Sequence, residues 1–423
     1  VKPPNGPARS ATILFIFITV AIDMISVGII APVLPRLITS FLNGNVSHAA
    51  VITGIFATVW AAMQFFCSPL LGMLSDRVGR RPVILISCAA TAVDFAIMAI
   101  APNLWWLFVG RVLSGMATAN LTTAFAYVAD VTSPEKRAQS YGLLGSAFGL
   151  GFIIGPAIGG LAGNLDPRLP FWIACGLSVV NTLYGFFVLP ESLSAAHRTP
   201  AIDWKRANPI GALKLLGRHH ELYGLATSSF IALVAHEALP VLWVLYLMAQ
   251  FQWDTRAIGL TLALVGVCSA ITAATLVGPV VKRFGERRTL VIGLTTFCLG
   301  NVLIGIASVP AFIAGIIVLC VSIYNSPMQS LMSKRVGPSE QGELQGAMGS
   351  VRGIAMMIAP LIFAWAFSQV SGPWRALAPL GSPFFLAAAM LAVAVYVTWR
   401  VTTRADDEVM PLAEPMQITV VEG

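Results

Sequence analysis

The chain alternates long apolar runs with short polar breaks, and the breaks carry charge, proline or glycine. A helix rises about 1.5 Å per residue, so roughly 20 consecutive apolar residues cross about 30 Å of hydrocarbon. Runs such as 11–33, 83–101 and 384–399 meet or approach that length. Read between breaks, the pattern predicts twelve helices near 12–34, 50–71, 83–101, 104–127, 140–162, 170–189, 221–248, 257–281, 289–308, 311–332, 344–368 and 381–399. The longest polar interruption, about 190–220, carries Arg198, Lys205, Arg206, Lys214 and Arg218 and parts the helices into two sets of six. The expected organisation is an N-terminal bundle (1–190), a central loop (191–220), a C-terminal bundle (221–400) and a tail (401–423) expected to be disordered. The opening VKPPNGPARS is polar and proline-rich. The apolar run behind it continues for a full span without a small-residue cleavage site, so it reads as a helix and not as a signal peptide.

Composition agrees with that pattern. Of the 423 residues, 57% are hydrophobic and 11% charged, against about 25% charged in ordinary soluble domains. So few charges cannot clothe a soluble surface, and lipid must cover most of the exterior. The six cysteines, Cys67, Cys88, Cys175, Cys268, Cys298 and Cys320, all fall inside apolar runs without a CxxC pair. They read as small hydrophobes, with no disulfide or metal framework expected. The net charge of +7 comes from scattered loop residues, which argues against nucleic acid as a partner. About twenty of the 26 Lys and Arg residues sit in the termini and in loops after even-numbered helices. Arg36, Arg168, Arg256 and Arg375 sit in loops on the other side, while Arg111 and Arg352 lie inside helices. Cytoplasmic loops carry the excess of positive charge. Both termini are therefore expected in the cytoplasm, in a multi-pass protein of bacterial inner-membrane type.

The two sets of helices echo one another. GMLSDRVGRR at 72–81 aligns with GPVVKRFGER at 278–287 at a constant offset of 206, matching Gly72, Arg77, Gly79 and Arg81 with Gly278, Arg283, Gly285 and Arg287. At an offset of 204, Pro134, Gly142, Gly145, Ser146 and Pro156 find Pro338, Gly346, Gly349, Ser350 and Pro360. Asp76 and Arg80 of the first loop become Lys282 and Glu286 in the second, so the charges are exchanged at the same spacing. Either order can close an ion pair across one helical turn or between neighbouring helix ends.

At these residues the chain resembles the major facilitator superfamily, in particular its drug–proton antiporter branch. GMLSDRVGRR resembles the signature between helices two and three, GRVLSG (110–115) the arginine-bearing motif of helix four, and GFIIGPAIGG (151–160) the Gly-Pro motif of antiporters. The N-terminal half is similar to tetracycline–proton antiporters through TVAIDMISVGIIAPVLP (19–35), AVDFAIMA (92–99) and YVADVT (127–132). In the C-terminal half, Ser269 and Phe297 stand where those antiporters carry a histidine and an aspartate. There AHEALPVLWVLY (235–246), GSVRGIAMM (349–357) and PLGSPFFLA (379–387) resemble hippocampus-abundant-transcript transporters. The resemblance implies an all-α membrane fold of two pseudo-symmetric six-helix bundles. It also implies alternating access driven by a proton gradient, with no bound cofactor. It places Asp23, Asp94 and Arg111 at substrate and proton coupling, and Gln64 on the cavity wall.

A charge at mid-membrane costs about 2.5–3.5 kcal/mol, so each one retained there needs a reason. Asp23 in helix one and Asp94 in helix three read either as proton or substrate sites on a cavity or as structural carboxylates bonded to neighbouring helices. Arg111 cannot be neutral and is expected to pair with a carboxylate. His236 and Glu237 precede Pro240, which deprives the His236 carbonyl of its usual donor. A kinked helix carrying a free carbonyl, a carboxylate and an imidazole can form an ion or proton site; nearer the outer end, the same residues would simply be hydrated. Arg352 reads as a cation for Glu237 or as an entrance residue. Gly151, Gly155, Pro156, Gly159 and Gly160 allow close helix approach, for packing or for a hinge or seal. Asp76 could cap a helix N-terminus of the opposite half. The resemblance implies that Arg80 meets Asp130, the two contacts together holding the cytoplasmic gate shut. Trp60, Phe65, Phe66, Asn120, Trp243, Tyr246, Asn325 and Gln329 are candidate lining residues, since aromatic and amide groups in an apolar cavity suit amphipathic solutes.

The reading is a proton-coupled exporter of an amphipathic organic compound, expected as a monomer whose partners are the small-molecule substrate, protons and membrane lipid. Proton-coupled transport of an unidentified metabolite or sugar is the alternative, as is a non-transporting membrane subunit or assembly factor. No Walker loop, metal-ligand spacing or GxSxG elbow points to an enzyme.

Overall fold

The computed structural model describes residues 7–118, 121–133, 136–194, 196, 198–199, 213–218, 220–337 and 340–408. The candidate lining residue Asn120, most of the expected central loop and the end of the expected tail lie outside the described residues. The described residues include twelve helical spans, numbered here in chain order: Ile13–Phe41, Val46–Val78, Arg80–Ile100, Leu104–Val131, Gln139–Leu165, Leu169–Val188, Leu222–Phe251, Thr255–Thr275, Val277–Gly305, Val309–Ser333, Gln341–Ser371 and Ser382–Thr403. This is the all-α, twelve-span membrane architecture that the apolar runs predict.

The helices overrun the apolar runs because polar caps, rather than hydrophobicity, decide where a helix starts. Asn45 accepts from the backbone N–H of His48 at 3.0 Å to start span 2, and Asp254 accepts from Ala257 at 2.8 Å to start span 8. The apolar pattern marks the hydrocarbon-crossing part of each helix.

Two spans are discontinuous. Span 7 breaks at Glu237, between helices His220–His236 and Ala238–Phe251. Span 10 breaks between helices Val309–Cys320 and Asn325–Ser333. Both breaks precede a proline. A helical proline leaves the carbonyl four residues earlier without a donor, namely His236 for Pro240 and Ile323 for Pro327. The first break follows the sequence expectation, whereas the second falls inside a run read as one continuous helix.

Spans 1–6 pack among themselves, as do spans 7–12, and the two bundles meet chiefly through spans 5 with 8 and 2 with 11. Twelve consecutive spans put the start of span 1, the end of span 12 and the described loops that carry Arg80, Arg81, Arg287 and Arg288 at one end, the basic end. At the opposite, far end the halves are closed. There Ser47 Oγ donates to the Ser368 carbonyl at 2.8 Å, Thr58 Oγ1 to the Met357 carbonyl at 2.9 Å, and Arg36 to Thr255 Oγ1. Toward the basic end they part: a Cβ added to Gly142, Gly145 or Gly149 of span 5, or to Gly349 of span 11, would meet nothing within 4 Å. The molecule is a cleft open at its basic end.

The loops that carry the sequence repeat share one backbone turn. Gly79 has φ +112° and Gly285, its match 206 residues on, has φ +76°. Side chains other than hydrogen are rarely tolerated at such angles.

Candidate functional site

Beneath the closed far end the two halves enclose a cavity of about 250 Å³. The first half contributes Thr53, Phe56 and Trp60 of span 2, Phe95 of span 3, and Arg111 and Ser114 of span 4. The second half contributes Glu237 and Pro240 of span 7 and Met356 and Pro360 of span 11. The wall is mostly apolar and aromatic, with a cation from one half and a carboxylate from the other.

Arg111 is held from behind. Asp94 is wholly buried, and its carboxylate lies 3.8 Å from Arg111 Nη2, outside hydrogen-bond reach. Among the described residues neither Asp94 oxygen has a hydrogen bond of good geometry, though the Ser114 hydroxyl lies beside it; Arg111 Nη2 donates to Met98 Sδ at 3.5 Å, and Arg111 Nε has no hydrogen-bond partner. Asp94 therefore stands behind Arg111 and Ser114, which line the cavity, while its neighbour Phe95 faces the cavity directly.

In the second half the two broken helices meet. The Tyr324 hydroxyl and His236 Nδ1 are 3.3 Å apart, and Phe297 stacks on Tyr324 at 5.3 Å between ring centroids. Arg352 is close enough to act electrostatically on both His236 and Glu237. Among the described residues no side chain bonds the Glu237 carboxylate. Asn325, Gln329 and Arg352 are exposed residues on the basic-end side of this junction.

Other expectations need correction. Trp243 donates through Nε1 to Thr261 Oγ1 at 3.0 Å and packs on Phe312. Tyr246 donates to the Ile304 carbonyl at 2.7 Å between Phe251 and Phe384. Both are core residues of the second half and do not line the cavity. Asp23 does not face the space between the halves. It lines a separate pocket of about 10 Å³ inside the first half, with Thr19, Cys88 and Leu121, because spans 3 and 4 cover span 1 at that level. Among the described residues its Oδ1 has no partner, and neither has Oδ1 of nearby Asn181, whose Nδ2 donates to the Thr19 carbonyl at 3.0 Å. Gln64, Phe65 and Phe66 lie outside the wall of the large cavity. Phe65 packs on Gly353 of span 11, where the halves touch at mid-span.

The glycines of span 5 act on two surfaces. Gly151, Gly155 and Gly159 pack against Met24, Gly28 and Ile29 of span 1. Gly160 and the Pro156 carbonyl meet Gly259 of span 8, across the halves at the closed end. The motif thus packs the first half and seals it to the second.

At the basic end, Arg80 pairs with Asp76 at 2.5 Å and with Asp130 at 3.2 Å, all within the first half. Gly72 faces open space and Arg77 is exposed; Arg81 donates to the Phe186 carbonyl. Glu191, after span 6, accepts from the Arg80 N–H at 2.9 Å and from the Arg81 N–H at 3.3 Å. With the cleft open, then, Asp76 engages its own half and not a helix of the other. The second half repeats the arrangement with the charges exchanged: Glu286 pairs with Lys334 at 2.7 Å and accepts from Ser330 at 2.6 Å. Glu286 and Lys334 stand 206 and 204 residues after Arg80 and Asp130. Glu286→Arg alone would set like charges together and is expected to lower stability by about 0.2–1 kcal/mol, since the pair is partly exposed. Adding Lys334→Asp rebuilds the order of the first half, and thermal melts should then show that loss recovered.

Sequence reasoning missed Thr53, Phe56, Phe95, Ser114 and Tyr324. Pro327 carried the signal for Tyr324, since it breaks the helix just before itself.

A family model for the Major Facilitator Superfamily matches residues 16–236 and again 225–415. The chain is similar to the tetracycline resistance protein, class C, of Escherichia coli, 34% identical over 362 residues that cover 85% of this chain and 90% of that protein. It is 25% identical to the hippocampus abundant transcript 1 protein of Mus musculus over 76% of this chain and 66% of that one. In fold it is similar to a bacterial homolog of the human lysosomal transporter Spinster, solved in an inward-facing and occupied conformation, with a TM-score of 0.75 at 14% identity and coverage of 97% and 100% of the two chains.

Proposed function

The chain belongs to the Major Facilitator Superfamily, and from that premise we propose that it exports amphipathic organic compounds in exchange for protons. It is a multi-pass membrane transporter and not an enzyme. One observation carries the proposal: a largely apolar cavity between the halves, at the apex of a cleft open to the basic end, presents Arg111 from one half and Glu237 from the other. The excess of Lys and Arg supports a cytoplasmic basic end, in a bacterial inner membrane, with the cleft receiving solute from inside. Similarity to tetracycline resistance proteins supports the outward direction.

In this mechanism Glu237 is the exchange group. Ionised, it attracts the polar end of a solute entering from the cytoplasm; it lies beside a helix break, where backbone carbonyls and the His236–Tyr324 pair make a polar setting within the membrane. When the halves rock and the far end opens, an external proton neutralises the carboxylate and releases the solute. Arg111, held by Asp94, keeps its charge throughout and orients the solute. A ligand shifts such a two-state element only as far as it binds the two states differently, and neutralisation at Glu237 supplies that difference.

In proteoliposomes, adding a transported compound should release protons from the side opposite to compound uptake. Glu237→Gln is expected to reduce this proton movement to background while compound counterflow persists. Proton movement unchanged by Glu237→Gln would overturn the assignment. An efflux panel of antibiotics and dyes that shows no difference between cells with and without the protein would overturn export itself.

A further inference from the structure

The cavity presents two opposite charges, one on each half, and among the described residues neither is closed into a hydrogen-bonded ion pair: Arg111 has Asp94 at 3.8 Å, and Arg352 acts on Glu237 without bonding it. A guanidinium has five N–H donors in a planar fork. Among the described residues, the carboxylate paired with Arg111 is 3.8 Å away, one donor rests on a thioether sulfur, and Nε has no hydrogen-bond partner. A charged group held so loosely in a low-dielectric wall still attracts an anion. On the other side, the Glu237 carboxylate is bonded by no side chain among the described residues. The wall around these charges is aromatic and aliphatic: Phe56, Trp60, Phe95 and Met356. Thr53 on the same wall is buried with its hydroxyl unpaired.

We propose that the transported solute is zwitterionic: an amphipathic molecule whose acidic group pairs with Arg111 of the first half, whose apolar body lies along the aromatic wall, and whose basic nitrogen pairs with Glu237 of the second half. The proposal rests on the exporter reading above and names the substrate class of that cavity. Its consequence is mechanical. A solute with both charges ties the two halves together, whereas one with a single charge engages one half and leaves the other charge desolvated with no hydrogen-bonded counter-ion, which is costly. The proton and the basic nitrogen also compete for one carboxylate, so exchange at Glu237 requires a cationic group on the solute.

The test uses the full-length protein in nanodiscs and two probe sets. One set is norfloxacin, which carries a carboxylate and a piperazine nitrogen on an aromatic body, with its ethyl ester (cation only) and its N-acetyl derivative (anion only). The other is 8-aminooctanoate with octylamine and octanoate. Binding is read by quenching of tryptophan fluorescence, and folding by thermal melts. In at least one set the zwitterion should bind about tenfold tighter than either singly charged analogue, each tenfold corresponding to one strong pairing gained. Glu237→Gln should remove the preference for the zwitterion over the anion-only analogue, whose own affinity should not fall because the charge it left unpaired is gone. Equal binding of a zwitterion and either of its analogues in both sets, or binding of no probe, overturns the proposal. Proteoliposome pH changes separate this from the exporter reading. Zwitterion preference without proton movement would sink export by exchange and leave the binding inference standing. Proton-coupled transport of the cation-only probes at full rate would do the reverse.

Discussion

Replacing Arg111 with Gln is expected to abolish transport and to cost about 3–5 kcal/mol of stability, because it strands the fully buried Asp94 carboxylate without its cation. The size follows from an asymmetry. A buried pair contributes little net stability, since desolvation of both ions offsets their attraction, but removing one partner leaves the full penalty on the other. Among the described residues Asp94 otherwise has the Ser114 hydroxyl beside it, and a neutral hydroxyl does not replace a cation. A double variant, Arg111→Gln with Asp94→Asn, should therefore recover most of the lost stability. It should not recover transport, because the cavity has still lost its cation. Thermal melts and transport read on the same three proteins check both halves of this expectation. A double variant as unstable as the single one would show that Asp94 is held by something other than Arg111. A double variant that transports would show that the cavity does not need a cation.

The behaviour of particular residues shows how far the sequence alone reaches. Twelve spans and two related halves were legible because hydrocarbon imposes a length on every apolar run and duplication leaves constant offsets. The offset also marked Glu286 as one half of an exchanged ion pair, but that it pairs with Lys334 required the structure. Which face of a helix looks into the cavity was not legible. A helix turns about 100° per residue, so Pro240 and Val241 share the face of Glu237, while Tyr246, nine positions on, lies about 180° away and is buried in the core. In a membrane span nearly every position is apolar, so the usual amphipathic stripe that would mark the inward face is weak. Asp94 and Phe95 make the same point within one step: Phe95 lines the cavity and Asp94 stands behind it. The charges on either side of the cavity, Arg111 and Glu237, were singled out from sequence as costly intramembrane charges. That they lie on one cavity from opposite halves required the packing. Asp23 is the converse case, a costly charge whose neighbours enclose it within one half.

Gly160→Leu should trap the transporter open at its far end. A Cβ at Gly160 would lie 2.8 Å from the Thr255 carbonyl oxygen and 2.9 Å from the Gly259 Cα of span 8. Both are backbone atoms of the opposite half, so no rotamer change relieves the clash and the two spans must separate. Overpacking of a close contact costs about 1–3 kcal/mol, and every 1.4 kcal/mol shifts a two-state population about tenfold. The cost falls only on the state in which spans 5 and 8 touch at the far end, so it acts on conformation and spares folding. Spin labels at Ser47 and Ser368, which are hydrogen-bonded across the closed end at 2.8 Å, should report longer distances in Gly160→Leu, with transport lost and the melt little changed. Gly155→Leu is the informative contrast. Its Cβ would fall 2.6 Å from the Gly28 Cα of span 1, inside the first half. That contact is present whichever end is open, so the variant should melt lower without a preference for either state. If Gly160→Leu kept the short far-end distances, closure would not run through the span 5 and span 8 contact, and the Gly-Pro motif would be a packing device of the first half alone.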